Sequence, residues 1–303
     1  MSVLIEQLQE SIGFIRTRCS KQAAIGIILG SGLSNLANQI VVEQEFPYQD
    51  IPHFPISTVE GHTGRLIFGS LGGVPVWVMA GRFHFYEGYT AQQVAYPVRV
   101  MRMLGVQTLL LSNAAGGVNP AFQVGDLMII RDHISLFQVN PLLGKNEDAL
   151  GTRFPDMSEP YNKQLIQQVK NLAAANSIQL HEGVYLGVTG PTFETRAEYK
   201  LIHVLGGDAV GMSTVQETIA AVHAGMKVFA ISVITDLGIR EEENTITHEE
   251  VLQAAAAAEP KLTLLFTQLV QQLPAWSILE YMMDVCNLPL LIPSPISIHL
   301  CDW

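Results

Sequence analysis

Ala23-Ala24-Ile25-Gly26-Ile27-Ile28-Leu29 runs directly into Gly30-Ser31-Gly32-Leu33. An apolar run this short and continuous reads as a strand buried on both faces, and the glycines mark a tight turn at its carboxyl end. The same pattern recurs along the chain. Residues 74–80 end in Gly81, and 108–112 run into Asn113-Ala114-Ala115-Gly116-Gly117. Further strands are expected at 65–71, 127–130, 184–188, 209–212 and 228–234. Helical spacing places helices at 3–17, 91–104, 161–176, 198–204, 215–224 and 249–273, the last kinked or divided by Pro260. Apolar strands alternating with helices indicate an α/β protein. The expectation is a single domain over residues 1–273 with a central mixed, largely parallel β-sheet flanked by helices.

Composition narrows the function. With 303 residues, 48% of them hydrophobic and 15% charged, the chain has ample material for a core and little for disordered tracts. A net charge of −11 argues against a nucleic-acid surface, which needs basic stripes, but allows a small anion in a local cationic pocket. No apolar run is long enough to span a bilayer, and no signal pattern opens the chain, so no membrane partner is expected. Cys19, Cys286 and Cys301 show no framework or metal spacing, which suits the reducing cytoplasm. The nine histidines form no HExxH pattern, so no metal site is expected. Residues 274–303 differ in kind, with no Lys or Arg and four of the fifteen prolines. This apolar extension reads either as an oligomer contact or as a segment from a shifted reading frame.

In an open α/β sheet, ligands gather at the carboxyl ends of strands, and the reactive side chains fall at such ends. Gly81-Arg82-Phe83-His84-Phe85-Tyr86-Glu87 follows the strand at 74–80. If it stays extended, Arg82, His84 and Tyr86 share one face, a row suited to an oxyanion attached to something flat or sugar-like. The bland alternative is a solvated strand end. Gly30-Ser31-Gly32 is either a ligandless turn or a ring of backbone N–H groups around an anion. It lacks the third glycine of a dinucleotide loop, because Asn35 stands there. The small residues after Asn113 permit close backbone approach to a substrate, or make a plain glycine turn.

In Gly190-Pro191-Thr192-Phe193-Glu194-Thr195, Phe193 is suited to stack on a planar heterocycle while Glu194 accepts from its ring N–H groups. Alternatively, Glu194 merely favours the dipole of a helix capped by Thr195 and Glu198. Ser213, in capping-box relation to Gln216, is a helix cap or a phosphate contact. Asp236 ends the strand at 228–234, where a carboxylate has no apolar role, and His248 opens the last helix.

Together these segments resemble the trimeric purine nucleoside phosphorylase family. The matching stretches are Gly30-Ser31-Gly32-Leu33, Gly61-His62-Thr63-Gly64, the 81–89 segment, Asn113 to Gly117, Arg153-Phe154-Pro155, Gly190 to Glu194, Gly211-Met212-Ser213 and His248-Glu249-Glu250. They occur in the family's order over residues 1 to about 273.

The resemblance implies reversible phosphorolysis of purine (deoxy)ribonucleosides such as inosine and guanosine, with inorganic phosphate as co-substrate and no cofactor. It assigns phosphate to Ser31, His62, Arg82, His84, Ser213 and the backbone N–H of Ala114. It assigns the nucleoside to Tyr86, Phe193, Glu194, Val210, Met212, Asp236 and His248, with Phe154 supplied by a neighbouring subunit of a homotrimer. His84, Glu194 and Asp236 are the implied catalytic residues. Family members that favour 6-oxopurines usually carry Asn where this chain has Asp236, which leaves adenosine or 5′-methylthioadenosine as the alternative substrate. A nucleoside-binding protein without turnover, or a dinucleotide oxidoreductase, fits the motifs less well.

Overall fold

The computed structural model describes residues 2–59, 63–136, 139–239 and 246–273. His62 and the extension 274–303 lie outside the described residues.

Among the described residues one nine-stranded sheet carries the fold. Its strands are β1 (Ile25–Ile28), β2 (Val41–Pro47), β3 (Arg65–Leu71), β4 (Val74–Ala80), β5 (Thr108–Gly117), β6 (Leu127–Ile134), β7 (Leu180–Gly187), β8 (Ala209–Gly211) and β9 (Lys227–Leu237). The spatial order is β2-β3-β4-β1-β5-β8-β7-β6-β9. β1 lies parallel to both β4 and β5, β5 parallel to β9, and β7 parallel to both β6 and β8. The β2–β3, β3–β4, β5–β8 and β6–β9 pairs are antiparallel. Because β5 also pairs with β9, strands β5-β8-β7-β6-β9 close on themselves, and the other four extend as an open wing. The sheet is therefore mixed, as expected, but its ring closure was not legible locally.

Among the described residues six α-helices flank it: α1 (Val3–Arg16), α2 (Ala91–Met103), α3 (Lys163–Ala175), α4 (Arg196–Val204), α5 (Val215–His223) and α6 (His248–Gln272). α1 buries Ile5, Leu8, Ile12 and Ile15 at helical spacing, and the Ser2 hydroxyl accepts from the Ile5 N–H at its start. α6 runs unbroken through Pro260, so the expected division there does not occur. Leu262, Leu265, Phe266 and Leu269 beyond the proline are all buried in the core. Burying such side chains is worth roughly 1.5–3 kcal/mol each, enough to outweigh the roughly 3 kcal/mol cost of an interior proline.

β2 escaped the sequence reading for a physical reason. It is an edge strand in which only Phe46 is buried, so it carries no apolar alternation. Phe46 packs on Trp77 with ring centroids 6.2 Å apart, and Phe68 packs on the same indole at 4.9 Å. This aromatic cluster anchors the wing, whose β1 and β4 deliver their carboxyl-terminal loops beside that of β5.

Candidate active site

Three parallel strand ends build one wall of a cleft. β1 leads into Gly30 and Ser31, and the approach is close: a Cβ on Gly30 would stand 2.8 Å from Asn113 Cα and from the Ser112 carbonyl oxygen. A glycine is required there. The turn continues into a short 3₁₀ helix, Ser34–Gln39, whose Leu36 N–H donates to the buried Glu259 carboxylate at 3.0 Å.

β4 ends in Gly81, and Arg82 follows with 1% of its surface exposed. Arg82 donates through Nε and Nη2 to the two carboxylate oxygens of Glu217, each at 3.0 Å, and through Nη1 to the Ser112 carbonyl at 2.5 Å. The fork is thereby held in one plane.

The chain stays extended only as far as His84; residues Phe85–Glu87 form a 3₁₀ turn. The strict alternation expected from Arg82 to Tyr86 therefore fails at Phe85, yet all three side chains still line the cleft. Tyr86 folds back so that its ring stacks on His84, with centroids 4.7 Å apart and planes 14° from parallel.

Glu87 locks His84. Its Oε1 accepts from the His84 backbone N–H at 2.8 Å and pairs with Nδ1 at 3.0 Å, while Oε2 takes the Thr58 N–H and hydroxyl at 2.8 and 2.7 Å. Burial pushes the Glu87 carboxyl up, but these hydrogen bonds outweigh it and hold the group down at about 2. An ionised carboxylate only accepts, so Nδ1 carries the proton. Burial, helped by the nearby Arg82 charge, pulls His84 below its ordinary range. The imidazole is neutral at pH 7, and Nε2 is its acceptor.

Ser213 and Thr214 close this end. Ser213 is not the helix cap expected from its spacing to Gln216. Thr214 occupies the cap position of α5, at φ 70° and ψ −46°, a conformation that a β-branched residue adopts only under constraint. The constraint is visible: Asn113 Nδ2 donates to Thr214 Oγ1 at 2.8 Å, and the Ser213 and Thr214 hydroxyls lie 3.1 Å apart. Ser213 N donates to the Tyr185 hydroxyl at 3.3 Å, which requires Gly211, because a Cβ there would lie 2.3 Å from that oxygen.

The opposite end is acidic and aromatic. Between Ala115↔Ile234 and Gly116↔Asp236 the β5–β9 register slips by one residue, leaving Thr235 as a bulge. Successive strand residues normally face opposite sides; the bulge turns both Thr235 and Asp236 into the cleft. Asp236 is buried, with Oδ1 accepting from the Thr235 hydroxyl at 3.1 Å and Oδ2 from the Tyr199 hydroxyl at 3.2 Å. Glu194 precedes α4, whose Thr195–Glu198 capping box forms as expected. Burial pushes the Glu194 carboxyl up, and the neighbouring Asp236 charge adds to this, against hydrogen bonds that include one to Tyr199.

The cleft so enclosed has about 660 Å³ of empty space, its open mouth included. It brings together Ser31, Arg82, His84, Tyr86, Ala114, Phe193, Glu194, Val210, Met212, Ser213, Asp236 and His248. Phe154 is not among them: it is 86% exposed and faces a separate hollow with Asp132, His133 and Leu143. Glu217 and Tyr199 were missed. Glu217 had a signal, a carboxylate one turn after Ser213-Thr214 in a helix of otherwise mostly apolar residues. Tyr199 had none, because a tyrosine in an amphipathic helix normally reads as core. Among the described residues, no group of His, Cys, Asp and Glu is arranged to hold a metal ion, and no helix is long and apolar enough to cross a membrane.

Residues 24–271 match the model of a family described as the phosphorylase superfamily. The chain is 52% identical over 246 residues to a purine nucleoside phosphorylase 1 from Geobacillus stearothermophilus, covering 81% of this chain and 90% of that protein. Its fold is similar to that of a Schistosoma mansoni purine nucleoside phosphorylase solved in complex with adenosine, with a TM-score of 0.84 and 42% identity over 89% of this chain and 98% of that one. A structure of a purine nucleoside phosphorylase from the same organism, in complex with inosine, gives a TM-score of 0.84 at 40% identity, covering 89% of this chain and 97% of that one.

Proposed function

The chain belongs to the phosphorylase superfamily, and from that premise we infer that it catalyses reversible phosphorolysis of purine nucleosides to free base and α-D-(deoxy)ribose 1-phosphate. One observation carries the residue-level reading. A cation, an imidazole and two hydroxyls (Arg82, His84, Ser31 and Ser213) stand at one end of the cleft that holds Phe193, Glu194 and Asp236 at the other.

In this reading phosphate lies at the first end. The guanidinium of Arg82 supplies the charge, and the Ala114 N–H and the two serine hydroxyls supply donors. Neutral His84 takes a hydrogen bond from a protonated phosphate oxygen at Nε2. The sugar lies between Tyr86 and Met212, with His248 at the mouth for the 5′-hydroxyl. The base rests against Phe193 and Val210, its edge toward Glu194 and Asp236.

The C1′–N9 bond breaks as a phosphate oxygen bonds to C1′, so positive charge grows on the sugar and negative charge on the purine. Phosphate beneath C1′ offsets the first. A donor to the base at the carboxyl pair offsets the second, contributing about 3–4 kcal/mol. Holding the two reactants together supplies roughly 7–11 kcal/mol in favourable cases. Phosphate is itself the nucleophile, so the proposed chemistry calls for no cofactor. Purified protein should release hypoxanthine from inosine and guanine from guanosine only when phosphate is added. Equal release without phosphate would make the protein a hydrolase and sink this reading. Running adenosine and 5′-methylthioadenosine beside them ranks the alternative substrates.

The exposed Phe154, with the 60% exposed Leu143 lining the same hollow, supports assembly into a homotrimer in which Phe154 covers a neighbouring sugar site. Phe154→Ala should raise the nucleoside KM about tenfold and leave the phosphate KM unchanged. A wild-type mass in light scattering other than three chains would reject the arrangement. The cysteine usage of the chain, without framework or metal spacing, supports a cytoplasmic site of action.

A further inference from the structure

Tyr199 lies where the proposed function gives it no task. It sits on the first turn of α4, 3% exposed, and its ring packs so tightly that a Cβ on Gly238 would fall 1.9 Å from it. Its hydroxyl lies between the two carboxyl groups of the base end. It donates to Asp236 Oδ2 at 3.2 Å and also makes a hydrogen bond with Glu194. It lines the cleft itself, 3.1 Å from where a side chain on Gly116 would begin.

A phenol has one proton to give. When Tyr199 gives it to Asp236, its oxygen accepts from Glu194 only if Glu194 is protonated. When it turns to Glu194, Asp236 must hold the proton instead. Also facing this cluster are the Thr235 hydroxyl on β9 and Glu198 on α4, while His248 on α6 lines the same cleft.

When a purine enters, the phenol stays on the ionised acid and the protonated acid turns its one hydrogen from the phenol oxygen to the base, so the two arrangements present opposite hydrogen-bond patterns to a purine edge. Protonated Glu194 with ionised Asp236 offers a donor beside an acceptor, matching the N1 acceptor and N6 amino group of a 6-aminopurine. Ionised Glu194 with protonated Asp236 offers the reverse, matching the N1–H and O6 of a 6-oxopurine. We propose that Tyr199 is a specificity-determining residue that passes one proton between Glu194 and Asp236, so that a single cleft accepts both 6-oxo- and 6-aminopurine nucleosides. The exchange balances. A proton leaves Glu194 for the phenol oxygen while the phenol's own proton moves to Asp236 Oδ2, and the phenol is unchanged. Tyr199 and Asp236 are buried and Glu194 is half-buried, which fits a proton retained within the group rather than lost to water.

This inference rests on the phosphorolytic reading of the cleft, and the experiment separates the two. Phosphate-dependent kcat/KM is measured for inosine and adenosine in wild type, Tyr199→Phe, Asp236→Asn and the double variant. Wild type is expected to use both nucleosides. Without the phenol the proton stays on Glu194, so Tyr199→Phe should lower the inosine-to-adenosine ratio at least tenfold. Asp236→Asn, whose amide is a permanent donor toward O6, should raise it by a similar factor. In the Asp236→Asn background the second change should leave the ratio unmoved, because no exchangeable proton remains at that position. No release from either nucleoside in wild type overturns the reading of the cleft and this inference together. Use of inosine with rejection of adenosine overturns this inference alone. Equal losses on both nucleosides in Tyr199→Phe, or a ratio that shifts as much in the Asp236→Asn background, would reduce Tyr199 to packing. Should Tyr199→Phe fail to fold, a wild type that uses inosine and rejects adenosine still overturns the inference.

Discussion

Arg82→Ala is expected to lose both stability and phosphate saturation, and the two losses should separate in a double variant. In wild type the guanidinium and Glu217 are 1% and 3% exposed and share two 3.0 Å hydrogen bonds. Removing one partner of such a pair leaves a buried charge uncompensated, at a cost of roughly 3–5 kcal/mol. Denaturant unfolding should register that loss. Removing both partners relieves the stranded charge, so Arg82→Ala/Glu217→Ala should recover a large part of it.

Phosphate use should not recover. The charge facing the anion is absent from both variants, and a lost charge-assisted hydrogen bond of about 1.5–3 kcal/mol raises the phosphate KM by on the order of ten- to a hundredfold. Unchanged phosphate saturation in the double variant would remove Arg82 from the anion site and leave it a structural ion pair.

The second large effect concerns the leaving base. Glu194→Gln keeps the size of the side chain and removes its ability to exchange a proton. The loss of a group placed to stabilise the departing purine should lower kcat by about 10²–10³ on inosine. A nucleoside methylated at N7 already carries the compensating positive charge, so on that substrate the deficit should shrink to within about tenfold. Equal deficits on both substrates would assign Glu194 to binding alone.

Much of this cleft could be read from the chain because its residue types cluster where glycine-bounded apolar runs stop. Ser31, Arg82, Ala114 and Asp236 each follow or end such a run, and a run that short between glycines reads as a buried strand. The capping box at Thr195 was equally legible, since its hydrogen bonds join residues three apart. Local signals failed where non-local packing set the outcome. Ser213 has the spacing of a cap but is displaced by Thr214, held at positive φ through Asn113, which lies 101 residues earlier. β2 pairs at an edge without needing an apolar face, and α6 passes through Pro260 because its flanking turns are buried.

The amino-acid sequence alone determined which chemistries were on offer: anion donors on glycine turns, an aromatic beside a carboxylate, and a buried strand-end aspartate. Side-chain chemistry and the periods of helix and strand are local properties. Only the tertiary structure decided which of these groups meet. Arg82 finds Glu217 across 135 residues, one bulge in β9 turns Thr235 and Asp236 the same way, and Tyr199 comes to rest between two acids. Such pairings depend on how strands order and close within the sheet, and that order is set by burial of the whole core.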